Sequence, residues 1–252
     1  MSRVLLAGES WFSYTVHQKG FDTFTTSEYT EGAGEFLTAL RGAGHDVTYV
    51  PAHEVHTRLD GEDAFDAFDV LVISDVGANT FQLAPQTFNR SEPSPDKAEL
   101  VRRRVESGAG LLMVGGYLTF TGIDAKARWG SSPLAPALPV TLRTVDDRVE
   151  LPSGAAPTVV ADHPVVDGLD RTWPQLLGLN EVTVRDGATL LAECAGRPLL
   201  VVGKYGAGRA AAFTSDIAPH WAPPPFLVWK GYARLFDQLV RWLAGASSPD
   251  RA

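Results

Sequence analysis

Leu111-Leu112-Met113-Val114 runs without a break into Gly115-Gly116, and that junction constrains the fold more than any other stretch. Four consecutive apolar residues closed by glycine read as a strand buried on both faces of a parallel sheet. A glycine pair at the strand's end predicts a strand-to-turn-to-helix corner. Such corners lift one side chain above the carboxyl edge of a sheet, where hydrolases hold a Ser or Cys nucleophile. The side chain lifted here is Tyr117.

The same punctuation recurs upstream. Val4 to Ala7 ends at Gly8, and Glu31 to Ala43 has helical spacing at Phe36, Leu37 and Leu40 before Gly42 and Gly44 close it. Asp46 to Val50 and Phe68 to Ser74 read as the next strands, and Ser94-Pro95 opens a helix to about Ser107. This β-α-β alternation with short connections predicts an α/β fold, a flavodoxin-like parallel sheet flanked by helices. The second half is β-rich: Val140–Leu142, 149–151, 158–161, 182–184, 189–192, 199–202 and 210–214 read as short strands. Lys204 to Arg209 reads as a hairpin turn, since no helix start follows that would make its glycines a phosphate cradle. Phe226 to Leu243 has the period of a long helix. With neither repeat nor linker in view, one domain over residues 1–246 is expected, with 247–252 a flexible tail.

Composition narrows the function. The formal net charge of -8 argues against nucleic acid or an anionic membrane surface as partner. Arg102-Arg103-Arg104 reads as a solvated helix face. The single cysteine, Cys194, excludes an internal disulfide and suits a reducing cytosol; in the apolar run Thr189 to Cys194 it reads as a buried thiol. The opening apolar run meets Glu9 too early for a signal peptide, and no run is long enough to span a bilayer, so a cytoplasmic location is expected.

Five features in order resemble the class I glutamine amidotransferase-like fold, and within it the group described as "putative glutamine amidotransferase". They are Gly8-Glu9-Ser10, the strand from Phe68 to Asp75, the Gly115-Gly116-Tyr117 corner, Asp162 to Leu169, and the segment from Gly203 to Trp221. The resemblance implies a Cys at the corner and a downstream His-Pro-Glu. This chain carries Tyr117 at the first place and Ser215-Asp216 after the strand ending at Thr214. The scaffold therefore carries over, and glutamine hydrolysis by thiolate does not, because a phenol of ordinary pKa near 10 is a poor stand-in.

Ligands of parallel α/β sheets gather beyond the carboxyl ends of the strands. That edge is expected to collect Glu9, Ser10 and Trp11, Asp75 and Asn79, Gly116 and Tyr117, and Ser215, Asp216, His220 and Trp221. Asp216 and His220 form an acid/base pair in which the carboxylate orients the imidazole. Tyr117 and Glu9 complete the catalytic set, the others the binding set. Ser13 to Asp22 reads as a polar-aromatic binding loop, and His17 is its candidate ligand contact. His17 with Asp22 or His220 lacks a compact ligand signature, so no metal is expected, and no cofactor. The expected partner is a small polar metabolite, and the aromatic last helix permits self-association into a homo-oligomer. The rival expectation is a non-catalytic binding or oligomerisation module on the same scaffold.

Overall fold

Val4 and Leu6 face one way and Leu5 and Ala7 the other, as strand geometry requires, and all four are buried. A computed structural model describing residues 1–245 shows what covers each face. The strands are β1 (Arg3–Gly8), β2 (Ser10–Lys19), β3 (Asp22–Glu31), β4 (Asp46–Val50), β5 (Val70–Ser74), β6 (Gly110–Val114), β7 (Val140–Leu142), β8 (Arg148–Ala155), β9 (Thr158–Val159), β10 (Leu176–Asn180), β11 (Val182–Val184), β12 (Thr189–Cys194), β13 (Arg197–Tyr205) and β14 (Gly208–Phe213). The α-helices are α1 (Gly34–Gly42), α2 (Val55–Arg58), α3 (Asn79–Gln82), α4 (Pro85–Arg90), α5 (Lys97–Glu106), α6 (Pro224–Leu227) and α7 (Lys230–Leu243).

Eight strands form one sheet in the order β4-β1-β5-β6-β14-β13-β12-β9. The first five are parallel. Counted along the chain their order is second, first, third, fourth, fifth, the flavodoxin-like arrangement, so the order reverses between β1 and β5. The remaining strands pair antiparallel and extend the far edge. One face is covered by α1 and α7 through Phe36, Leu40, Leu235, Phe236 and Leu239. The other is covered by α5 through Ala98, Val101 and Val105, with Phe81 and Trp129. The hairpin at Lys204 to Arg209 forms as read, with Lys204 opposite Arg209.

Several boundaries move for local reasons. The helix expected from Ser94 starts at Lys97, because the Asp96 carboxylate accepts the Ala98 and Glu99 N–H groups and caps it there. The last helix is two, divided where Trp229 adopts an extended backbone. The tail 247–252 lies outside the described residues.

The largest correction concerns residues 13–22. They are no loop: β2 and β3 pair antiparallel over their whole length, from Ser10–Glu31 to Lys19–Asp22, around a two-residue Gly20-Phe21 turn. Gly20 takes a positive φ of 64°, matching a hairpin turn with glycine first. Thr, Tyr, Phe and Val recur along both strands, and these β-branched and aromatic types favour a pleated ribbon. The ribbon is an arm that leaves the body immediately after Glu9, and most of it is exposed.

Candidate functional site

The carboxyl ends of β1, β5, β6 and β14 bring four sequence-distant segments to the switch point of the sheet. At the end of β1, a Cβ on Gly8 would lie 2.0 Å from the Ser74 carbonyl oxygen, and its φ is 107°. Only glycine allows that approach. Glu9 follows with a φ of 48°, and Asp75, one step past β5, with a φ of 39°. Two carboxylate residues in the left-handed region at adjacent strand ends mark strained backbone, which clusters at functional sites.

Glu9 is buried, and its Oε2 accepts the Ser74 hydroxyl at 2.5 Å. Burial first, then the charges of Asp216 and Asp75, hold its carboxyl well above the usual range, with the Ser74 hydrogen bond opposing. Asp75 Oδ1 accepts the Leu118 N–H at 2.7 Å. Burial and the Asp216 charge push Asp75 up to about 6, against the Leu118 hydrogen bond and the pull of His220. A Cβ on Gly116 would sit 2.5 Å from Asp75 Oδ1, so this glycine makes room for the carboxylate.

Asp216 is buried; its Oδ1 accepts the Ala218 N–H at 3.0 Å, and its Oδ2 lies 3.4 Å from His220 Nδ1. The Asp216 contact raises the His220 pKa, burial opposes, and the charges of Asp75 and Glu150 add to the rise. The imidazole meets the Tyr117 ring edge-on at 4.2 Å between centroids and stacks on Trp221 at 5.2 Å. Tyr117 donates its hydroxyl to Glu150 Oε1 at 3.0 Å, and Trp221 donates Nε1–H to Glu150 Oε2 at 3.0 Å. Burial and Glu150 raise the phenol's pKa, so it acts as a neutral donor. The Arg148 guanidinium lies over its ring at 4.9 Å.

The structure thus gathers Glu9, Asp75, Gly116, Tyr117, Asp216, His220 and Trp221. Trp11 stands at the margin, its ring edge converging with Glu9 Oε1 on the same side of Gly32. Other expected members are placed elsewhere. Ser10 Oγ accepts the Ala52 N–H and pins the arm's root, and Ser215 Oγ donates to the Gly178 carbonyl, tying β14 to β10. Asn79 is exposed at the start of α3. His17 sits on the arm, stacked on Phe24 with Nε2 3.1 Å from Thr26 Oγ1, because the ribbon carries it away from the body. Among the described residues, no group of three His, Cys, Asp or Glu side chains is arranged to hold a metal ion.

The corner after β6 also departs from expectation, since no α-helix follows it and residues 117–122 run as turns and bends. Asn180 holds it, accepting from Gly116 N and donating to Gly116 O, while Asp147 accepts the Thr121 and Gly122 N–H groups. Glu150, Arg148, Asn180, Asp147 and Ser74 were not anticipated. Arg148 and Glu150, two apart on β8, share a strand face, and that spacing was the signal available. Cys194 is buried on β12 with its thiol against the Ala155 carbonyl, and burial pushes it up to about 11.

The family model described as "putative glutamine amidotransferase" matches residues 3–245. Cytoplasmic protein STM3548 from Salmonella typhimurium superposes with a TM-score of 0.93 at 42% identity, covering 96% of this chain and 98% of that one. Cytoplasmic protein STM1381 from Salmonella typhimurium LT2 gives 0.91 at 43% identity, covering 96% and 99%. A ThuA-like protein from Parabacteroides merdae shares the fold alone, with a TM-score of 0.61 at 13% identity over 99% and 92% of the two chains. No curated protein matches. No described helix is long and apolar enough to cross a membrane.

Proposed function

Because the chain belongs to the family described as "putative glutamine amidotransferase" while carrying Tyr117 at the nucleophile's place, we propose that it acts on a small polar metabolite by acid/base chemistry, in the cytoplasm. The observation that carries this reading is the pairing of Asp75, held up to about 6, with a His220 whose pKa Asp216 raises. Both shifts are upward: the Asp75 carboxyl is brought into the range of working acids and bases, and the imidazole is favoured in its protonated form. With Asp75 ionised it takes a proton, and with His220 protonated it gives one. Asp216 orients the imidazole; Glu9, held neutral, donates or accepts a hydrogen bond at the floor; Tyr117, Glu150 and Trp221 form the wall against which a ligand is placed. Hydrolysis fits the same set if His220 or Asp75 activates a water. Thiolate chemistry finds no support, since Cys194 is buried on another strand.

The test is a thermal-shift screen of amino acids, sugars and nucleosides, followed by mass spectrometry of each hit. A hit that is consumed by the native chain and left intact by His220→Ala supports the enzyme. A ligand bound and recovered unchanged supports the second reading, a binding module, which the engagement of the Tyr117 hydroxyl by Glu150 favours. Ammonia release from glutamine is expected to be absent.

A further inference from the structure

The two faces of the β2–β3 arm differ in kind. Directly opposed residues share a face. From Phe12 and Tyr29 out to Gln18 and Thr23, one face holds Phe12, Tyr14, Val16, Thr25, Ser27 and Tyr29 without a single charge. The other carries His17, Lys19, Asp22 and Glu28 beside the aromatics Trp11 and Phe24, so charge rather than apolar content separates the two. At its root the uncharged face packs on the body, where Phe12 and Tyr29 meet the His53 ring at 5.5 and 5.1 Å. Beyond that root none of the described residues covers it: Tyr14 is 72% and Val16 69% exposed.

We propose that this uncharged face is the docking surface for a second copy of the chain, the two arms packing face to face about a two-fold axis. Two observations select that occupant. Two ten-residue strands extend roughly 33 Å, so reciprocal arms span about the width of a small domain. The chain carries a net charge of -8, so two copies repel through most of their surfaces, and this face meets its own image without like-charge contact. An isolated two-stranded ribbon is marginal in water, and a second copy supplies the cover it lacks.

Light scattering behind size exclusion tests this on the full chain at micromolar concentration. The expected mass is that of two chains rather than the 27.1 kDa of one. Tyr14→Glu with Val16→Glu puts four carboxylates across the contact and is expected to give monomer, whereas Thr15→Glu with Thr26→Glu on the opposite face stays dimeric. Native chain running as monomer, which would point to another protein or a lipid surface as occupant, overturns the proposal. A dimer that survives Tyr14→Glu with Val16→Glu overturns it equally. Cys194 is buried, so a cysteine introduced on the arm is the reactive one, and a bismaleimide should trap Tyr14→Cys as a covalent dimer far more than Thr15→Cys. Equal trapping at both positions removes the face assignment even if the charged variant fails to fold.

Discussion

Glu9 and Tyr14 are five residues apart and treat water in opposite ways. The strand-edge cluster buries carboxylates, while the arm that springs from it exposes aromatics. Exposed leucines or buried valines say little about a protein; a buried charge or an uncovered apolar ribbon is the informative departure. Both departures here cost stability to the isolated chain. In the cluster the cost appears as carboxyls held above their ordinary range. In the arm it appears as apolar surface left in water. The contrast separates what the fold needs, the two packed layers of the sheet, from two features whose cost a bound ligand and a docked partner would offset.

The sharpest way to break the comparison is to remove the proton-handling imidazole. His220→Ala is expected to lower turnover of a metabolite found by screening roughly 10²–10⁴-fold, with a thermal midpoint close to native; undiminished turnover would leave the cluster without its proposed chemistry. The next largest effect is on stability, and its sign is unusual. Asp75 releases its proton near 3.8 when unfolded and at about 6 when folded. Between those values the native state holds the additional proton, so stability falls as pH rises across the interval and stays lower above it. The loss amounts to about 3 kcal/mol, at about 1.4 kcal/mol for each pH step. Asp75→Asn keeps an acceptor for Leu118 N–H and should raise the melting midpoint near pH 7.5 by roughly 6–10 °C, while abolishing turnover. Near pH 4 the gain should vanish.

A subtler measurement follows His220 by NMR titration. Its pKa is raised chiefly by Asp216, so Asp216→Asn is expected to shift the midpoint downward, and with it the alkaline limb of a bell-shaped rate profile whose acid limb lies near 6. An unmoved midpoint would mean that the Asp216 contact does not stabilise the imidazolium. The smallest effect belongs to Tyr117→Phe, which removes one hydrogen bond to Glu150 and should cost about 0.5–1.5 kcal/mol of ligand affinity by calorimetry.

Much of the fold was legible because buried parallel strands advertise themselves: Val4 to Ala7, Val70 to Ile73 and Leu111 to Val114 are unbroken apolar runs. The edge residues Glu9, Asp75 and Asp216 were legible for the same reason, each standing just past such a run. The arm was not, since Trp11 and Phe24 fall on the face opposite Phe12, Tyr14, Val16 and Tyr29, and threonines on both faces blur the alternation. Its Thr and aromatic content was the remaining clue. Glu150 was missed because β8 is short of apolar residues and its role depends on Tyr117 and Trp221, far away in sequence. Asn180, which pins the Gly116 backbone, is a partner only folding can supply.

Ser10 pairs directly with Glu31, and the Gly32 N–H donates to the Glu9 carbonyl at 2.9 Å. The polypeptide therefore departs from and rejoins the main body at a single doorway. The segment between those two residues adds no strand to the main sheet, so the length of the ribbon leaves the register of that sheet, and the acids at its edge, untouched.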